Sequence, residues 1–153
     1  MDAQLKQDKY NKVISALEAA WRETDDPVAR MATVAALLFR DFDDFFWSGF
    51  YLLRDNNLTV GPYLGAPAAV ILPRNLGVCW NAVNNNETIV VANVHEFEGH
   101  VRVEGRSNSE ISVPLRGTSG EVIGVFHVDH ADFDAFDSVD IDALERIASM
   151  LSV

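Results

Sequence analysis

The sequence predicts an α+β fold in which a central antiparallel sheet is covered on one face by the helices from the two ends of the chain. A short helix and a long loop are expected on the other face. Two observations predict this arrangement. Apolar residues recur at helical spacing near both ends, whereas the middle of the chain contains short runs of aromatic and β-branched residues. Most of these runs are joined by tight turns, which favours antiparallel pairing.

Each element is predicted from its local pattern. Asp26 and Pro27 supply an N-cap residue followed by proline at the first helical position, which marks the start of the second helix. Gly117 and Gly120 lie in the turn of a hairpin. The predicted elements are helices over residues 2–23 and 28–39, strands over 45–53, 58–60 and 68–72, a short helix over 77–84, strands over 88–92, 111–115 and 122–129, and a last helix that opens near residue 137.

Residues 93–108 show no periodicity and are predicted to form a long surface loop of the kind that often carries function. Alternation along the first strand places Trp47 and Tyr51 on one face, and Phe46 and Phe50 on the other. The face with tryptophan and tyrosine could line a small-molecule pocket or belong to the core, since both residues combine an apolar body with a polar tip.

Length and charge limit the classes of partner. A chain of 153 residues is typical of one globular domain, here expected over residues 1–153. Twelve basic and 23 acidic residues give a net charge of −11, which repels phosphate backbones and anionic lipids, so neither nucleic acid nor a membrane is expected as a partner.

The polar amino end contains no signal-like apolar segment, which predicts a cytoplasmic protein. The acids after Asp132 are expected to form a solvated face.

The chain has one cysteine, Cys79, and therefore no intramolecular disulfide. Cys79 follows Gly77 and Val78 at the predicted start of a helix, where the helix dipole favours a thiolate. It could equally be a small buried apolar side chain. His127 and Asp129 project to the same face of a strand, but the spacing of the histidines matches no zinc motif, and we expect no metal site.

Two acids at the ends of apolar strands are further candidates. Glu110 precedes one such strand and Asp129 ends another, so both could be partly buried carboxylates that face one cavity. A buried carboxylate needs a partner, which could be the ammonium group of a ligand or an arginine such as Arg102 or Arg106. Solvated acids at strand ends are the alternative.

Several segments, in this order and spacing, resemble the small GAF-domain proteins that act as free methionine-(R)-sulfoxide reductases. The resemblance covers nearly the whole chain and implies a GAF-like fold. It rests on residues 47–53 (WSGFYLL), 61–68 (GPYLGAPA), 77–79 (GVC), 93–100 (NVHEFEGH), 107–111 (SNSEI), 113–115 (VPL) and 123–129 (IGVFHVD).

The resemblance implies a pocket for free methionine sulfoxide, closed by the loop after the short helix. By the resemblance, Trp47 and Tyr51 hold the methyl sulfoxide end of the ligand. Glu110 and Asp129 hold its polar end or assist proton delivery. A third family carboxylate is replaced by His127, which changes both charge and hydrogen bonding. The resemblance implies no cofactor.

Members of this family usually carry three cysteines, and two of these are replaced here. The position of the resolving cysteine is Ala69, and that of the usual nucleophile is Val103; only Cys79 remains. The family reaction needs a thiolate that attacks the sulfoxide sulfur and a second cysteine that resolves the sulfenic acid to a disulfide, which thioredoxin then reduces. One chain of this sequence cannot complete that cycle.

Three hypotheses follow. The main one is a small-ligand-binding module, for methionine sulfoxide or a similar amino acid, in which catalysis is impaired or lost. The alternative is an atypical free methionine-(R)-sulfoxide reductase that uses Cys79 and an external thiol, with thioredoxin as a partner only if the protein is active. A third, an interaction protein with a vestigial pocket, is supported only by the acidic last third of the chain. The resemblance also implies a possible homodimer.

Overall fold

The helices and strands of the structure occur in the order that the sequence pattern predicts, apart from one predicted strand that is absent from the described residues. The computed structural model describes residues 1–101 and 105–151. The elements within these ranges are α1 (Ala3–Ala20), α2 (Pro27–Asp41), β1 (Phe45–Arg54), β2 (Asn57–Gly65), α3 (Gly77–Asn85), β3 (Ile89–Val91), a 3₁₀ turn (Val94–Glu96), β4 (Ser109–Arg116), β5 (Val122–His130) and α4 (Ser138–Met150). In these two ranges, every helix falls short of the length and hydropathy that a membrane span requires.

The strands form an antiparallel sheet with the order β2-β1-β5-β4-β3. Helices α1, α2 and α4 cover one face, and their apolar side chains form a core with Phe50, Phe126 and Val113 of the sheet. Helix α3 covers the opposite face, which buries Trp47 and Tyr51. The predicted α+β fold, with the terminal helices on one face and the short helix on the other, is confirmed.

The helix starts follow the expected capping rules. The Asp26 carboxylate accepts a hydrogen bond from the backbone N–H of Ala29 at 2.9 Å, and Pro27 is the first residue of α2. At the start of α4, the backbone N–H of Asp137 donates to the Asp140 carboxylate, and the backbone N–H of Asp140 donates to the Asp137 carboxylate. This reciprocal pair is a capping box, and it defines where the last helix begins.

The strand predicted over residues 68–72 is wrong. Among the residues that the structure describes, this segment forms a single bridge, between Ile71 and Thr59 of β2. Pro67 and Pro73 flank the segment, and proline has no N–H to donate to a ladder, so the pairing does not extend in either direction. The side chain of Ile71 is exposed, which also removes the burial that would stabilise a strand.

The predicted alternation along β1 is wrong for Phe46. A bulge in the pairing with β5 lies between Phe45 and Trp47, and it inserts one extra residue. As a result, Phe46 packs beside Trp47 on the α3 face, whereas Phe45 packs against the helices of the other face. Beyond the bulge the alternation holds, with Trp47 and Tyr51 on one face and Phe50 on the other.

Asp140 is buried, so the expectation of a solvated face for the acids after Asp132 is wrong at this position. Its carboxylate accepts hydrogen bonds from Lys6 Nζ at 2.6 Å and from the Tyr10 hydroxyl at 2.7 Å. Burial lowers the pKa of Lys6, but hydrogen bonds to Asp140 and Asp137 outweigh it and leave the pKa raised. The first and last helices are therefore joined by a buried ion pair, whose partners lie too far apart in the chain for a local pattern to reveal.

Substitution of Asp140 should destabilise the fold. In Asp140→Ala, the Lys6 ammonium and the Tyr10 hydroxyl lose their buried acceptor, and removal of one partner from a buried ion pair costs about 3 kcal/mol or more. We expect a lower free energy of unfolding by about this amount, measured by urea denaturation with far-ultraviolet circular dichroism.

Asp142→Ala is the matched control, because Asp142 is an exposed acid on the same helix. Its effect should stay within about 0.5 kcal/mol. Equal losses in Asp140→Ala and Asp142→Ala would show that the buried ion pair contributes nothing to stability.

Candidate functional site

The candidate site lies where β1, β5 and β4 run side by side. In the sheet register, Asp129 of β5 is opposite Trp47 of β1 on one side and Glu110 of β4 on the other. The neighbouring row on the same face pairs His127 with Ser112. Directly opposed side chains lie about 5 Å apart at Cβ, so residues from three separate segments meet on the α3 face of the sheet.

One wall of the site is aromatic. The rings of Trp47 and Tyr51 are buried and stack at a centroid distance of 6.0 Å, and Tyr63 of β2 stacks on Trp47 at 5.1 Å. Trp47 Nε1 donates to the carbonyl of Ala66 at 3.2 Å, and the Tyr51 hydroxyl donates to the carbonyl of Ala69 at 2.9 Å. Ala69, where the resemblance expects a cysteine, therefore lies beside this wall.

Gly49 makes the aromatic wall possible. It lies between Trp47 and Tyr51 on the same face of β1 and opposite Tyr63 of β2. A Cβ atom at Gly49 would collide with the Cβ atom of Tyr63. The absence of a side chain therefore allows Tyr63 to approach and stack on Trp47.

The other wall is the polar cluster, which we define as Glu110, His127 and Asp129. Each of these side chains is at most 1% exposed. His127 Nε2 lies 2.6 Å from Asp129 Oδ1 and 3.8 Å from Glu110 Oε2. Within the described part of the chain, Asp129 Oδ2 is buried and has no hydrogen-bond partner. The two acids are thus buried, and the alternative of solvated acids at strand ends is wrong.

Polar side chains behind the polar cluster hold it in position. Glu110 Oε1 lies 2.8 Å from His100 Nε2 and accepts a hydrogen bond from Ser107 Oγ at 2.9 Å. His127 Nδ1 lies 2.6 Å from Ser112 Oγ. The sequence reasoning assigned no role to His100, Ser107 or Ser112, although Ser112 follows Glu110 by two residues and so shares its face of β4.

Burial and charge together determine the protonation of the polar cluster. Burial raises the pKa of Asp129 to about 6, since the attraction of His127 offsets only part of the desolvation. Burial alone would raise the pKa of Glu110, but hydrogen bonding to His100 and the charge of His127 leave it lowered. Burial lowers the pKa of His127, and the charges of Cys79 and Asp129 more than reverse this, so the net shift is upward. The lowered pKa of Glu110 favours its carboxylate, and the raised pKa of His127 favours its protonated ring.

Cys79 faces the polar cluster. Its thiol is buried on the third residue of α3, and Ser112 Oγ donates a hydrogen bond to its sulfur at 3.6 Å. Because Ser112 also contacts His127 Nδ1, a hydrogen-bonded chain connects the imidazolium to the sulfur. Cys79 is thus both a buried residue of the α3 core and a neighbour of the candidate site.

The enclosed space in the site is small. Cys79, Glu110 and His127 line a cavity of about 10 Å³, which is close to the size of one water molecule. Leu76 and Val101 belong to the same lining. A free amino acid does not fit this space until these apolar side chains move.

Two sequence expectations concern residues near this cavity. Val103, where the resemblance expects the nucleophile, and Arg102, a possible partner for the acids, lie outside the described residues. The guanidinium of Arg106 lies over the ring of Phe46 at 4.9 Å. Glu110 is hydrogen-bonded to His100 and Ser107.

Known proteins resemble this chain over most of its length. The family model for the GAF domain matches residues 24–153. Protein YtsP of Bacillus subtilis is 33% identical over 148 residues, which are 95% of this chain and 90% of that protein. Free methionine-R-sulfoxide reductase of Escherichia coli is 38% identical over 124 residues, 81% of this chain and 74% of that enzyme. The X-ray structure of free methionine-R-sulfoxide reductase from Neisseria meningitidis, in complex with its substrate, has a TM-score of 0.87 and 34% identity, covering 93% of this chain and 85% of that chain.

Ionisation of Asp129 should weaken the fold as the pH rises. Its pKa is about 6 in the folded protein and 3.8 ordinarily, so between these values the folded state binds more protons than the unfolded state. The free energy of unfolding then falls through this window, by up to about 3 kcal/mol for this one group. Asp129→Asn removes the titration, and its stability relative to the parent should rise between pH 4 and pH 7 in urea denaturation.

Asp43→Asn, a change at an exposed acid, controls for the loss of one carboxylate. It should leave the pH dependence of stability as in the parent. Parallel pH profiles for the parent and Asp129→Asn would contradict the assignment of a raised pKa to Asp129.

Proposed function

Because the chain belongs to the GAF-domain family, we propose that it is a small-ligand-binding module for free methionine sulfoxide or a similar amino acid. Its similarity to free methionine-R-sulfoxide reductases supports this ligand class. The observation that carries the proposal is a buried polar cluster directly beside an aromatic wall. Such a combination offers one polar and one apolar subsite to a small ligand.

The polar cluster is the proposed subsite for the ligand's ammonium group. Its acidic side chains outnumber its one histidine, which favours a cation. Asp129 Oδ2 has no partner in the described residues, and Glu110, its cross-strand neighbour, has Oε2 3.8 Å from His127 Nε2. An ammonium group would supply hydrogen bonds to both oxygens and so offset the cost of burying them.

The aromatic wall is the proposed subsite for the methyl sulfoxide end. Trp47 and Tyr51 present ring surface, while their polar tips already bind backbone carbonyls. Sulfur atoms and methyl groups make favourable contacts with aromatic rings. The ligand would span from this wall to Asp129, which is the cross-strand neighbour of Trp47.

Entry of this ligand requires the site to open. The cavity beside Cys79 has a volume of only about 10 Å³, and Leu76 and Val101 are among the residues that line it. Val101 lies against the start of α3, where a Cβ atom on Gly77 would come within 3.1 Å of Val101 Cβ. We infer that a ligand displaces Val101 from Gly77, since this contact is apolar and involves no hydrogen bond.

Catalysis by two cysteines is proposed to be lost. The chain has one cysteine, and resolution of a sulfenic acid within one chain needs a second thiol. The alternative, reduction by Cys79 alone, rests on one observation: its thiol lines the same cavity as Glu110 and His127. In that reaction the thiolate takes the sulfoxide oxygen as a sulfenic acid and releases methionine, and two external thiols then give a disulfide and water.

Other expectations remain predictions. The single domain over residues 1–153, the cytoplasmic location, the possible homodimer and the need for thioredoxin in an active protein all remain to be tested. The binding proposal depends on none of them, because the proposed subsites lie within one chain.

Binding should be measurable by calorimetry with free methionine (R)-sulfoxide. In Glu110→Gln, one charged acceptor of the ammonium group is lost, and a hydrogen bond to a charged group contributes enough for an affinity loss of about 10- to 100-fold. The exposed Glu96→Gln is the matched control and should bind as the parent does. Absence of heat with methionine, both sulfoxide epimers and other free amino acids would remove the proposal, and equal affinity in Glu110→Gln would refute the polar subsite.

Reductase activity should be absent. We expect no consumption of NADPH above background in an assay coupled through thioredoxin, either in the parent or in Cys79→Ser. Introduction of both family cysteines, as Ala69→Cys with Val103→Cys, should raise turnover if the pocket is intact. Turnover in the parent that disappears in Cys79→Ser would instead establish the one-cysteine alternative.

A further inference from the structure

We propose that Glu110, His127 and Asp129 form a binding site for a divalent transition-metal ion, with Zn²⁺ as the best match to the ligand set. This inference uses the polar cluster but goes beyond the proposed function, because it requires no amino acid. One imidazole nitrogen and two carboxylate oxygens would coordinate the ion and leave at least one position open.

The geometry of the polar cluster fits such an ion. One ligand atom from each of its three residues can be chosen so that all lie within 4.8 Å of one another. Metal bonds of about 2.1 Å at angles near 90–110° separate neighbouring ligand atoms by roughly 3.0–3.4 Å. The distances of 2.6 Å and 3.8 Å from His127 Nε2 to the two carboxylates bracket this value. Small side-chain adjustments would therefore complete the coordination.

Two of the three ligands, His127 and Glu110, already have the outer hydrogen bond that is typical of metal sites. His127 contacts Ser112 Oγ through Nδ1, and its Nε2, which contacts Asp129 Oδ1 at 2.6 Å, would lose its proton when it binds the ion. Glu110 is held at Oε1 by His100 and Ser107, which leaves Oε2 facing His127. Metal-binding histidines and carboxylates are oriented in this way by groups behind them.

A buried oxygen without a hydrogen-bond partner is a second, independent observation in favour of a bound ion. Asp129 Oδ2 lacks a hydrogen-bond partner in the described residues, although its side chain is fully buried. Buried carboxylate oxygens normally have a partner or coordinate a metal. The adjoining cavity of about 10 Å³ is also large enough for an ion but too small for an amino acid.

The ligand types favour Zn²⁺ over Mg²⁺ or Ca²⁺. An imidazole nitrogen suits zinc and other transition metals, whereas magnesium and calcium prefer oxygen ligands alone. Cys79 is not included among the ligands, because the ligand atoms that lie within 4.8 Å of one another come from Glu110, His127 and Asp129. Sequence spacing could not predict this site, since its ligands come from two strands and depend on their register.

The test is calorimetric titration of the chelator-treated full chain with Zn²⁺ alone, followed by metal analysis after desalting. We expect one Zn²⁺ per chain. His127→Gln and Asp129→Asn should each lower the affinity by more than about 100-fold, because each removes a ligand, and Ser112→Ala should lower it by about 10- to 100-fold through loss of the outer hydrogen bond. The control His95→Gln removes an exposed histidine and should bind Zn²⁺ as the parent does.

Circular dichroism establishes that each variant is folded, and Ser112→Ala retains all three ligands if a ligand variant fails to fold. Absence of Zn²⁺ binding, or equal binding in the parent, Ser112→Ala and a folded ligand variant, would overturn the site. Methionine sulfoxide is titrated separately into the chelator-treated protein. Amino-acid binding without Zn²⁺ binding refutes the metal site alone, and Zn²⁺ binding without amino-acid binding supports the metal site and counts against the proposed function.

Discussion

The antiparallel register of β1, β5 and β4 is the constraint on which the site depends. It makes Asp129 the direct neighbour of both Trp47 and Glu110, and it places His127 beside Ser112. A shift by one residue in β5 would turn its acid and its histidine toward the apolar core of the helix-covered face. The helices on that face, joined by the ion pair between Lys6 and Asp140, therefore support the site by stabilising the sheet in this register.

Burial of the polar cluster lowers the stability of the fold unless a bound partner offsets the desolvation cost. Two carboxylates beneath α3 are removed from water, and one of their oxygens has no partner in the described residues. A pair of hydrophobic residues would fill the same space without a desolvation cost. Both proposals assign a positively charged occupant to this space, an ammonium group or a metal ion. The two would compete, because they use the same carboxylate oxygens.

The chain has a GAF-domain fold, but its single cysteine excludes a two-cysteine reaction within one chain. Cys79 lies next to the polar cluster and is connected to His127 through Ser112. That contact keeps one-cysteine reduction chemically conceivable, whereas the two-cysteine cycle requires a thiol that the chain does not have.

The sequence by itself determined the α+β fold and the order of its elements apart from one predicted strand, and it proposed the residues of the candidate site. Periodicity and capping residues such as Asp26 and Pro27 act over a few positions, so a local pattern is enough to predict them. Motif resemblance identified Glu110, His127 and Asp129. The tertiary structure alone decided that Phe46 turns toward Trp47, that Asp140 is buried against Lys6, and that His100 and Ser107 hold Glu110. The first outcome depends on a bulge in the sheet, and the others depend on side chains that meet only in the folded chain. Burial and charge pairing are properties of the packed molecule, so a local sequence pattern does not reveal them.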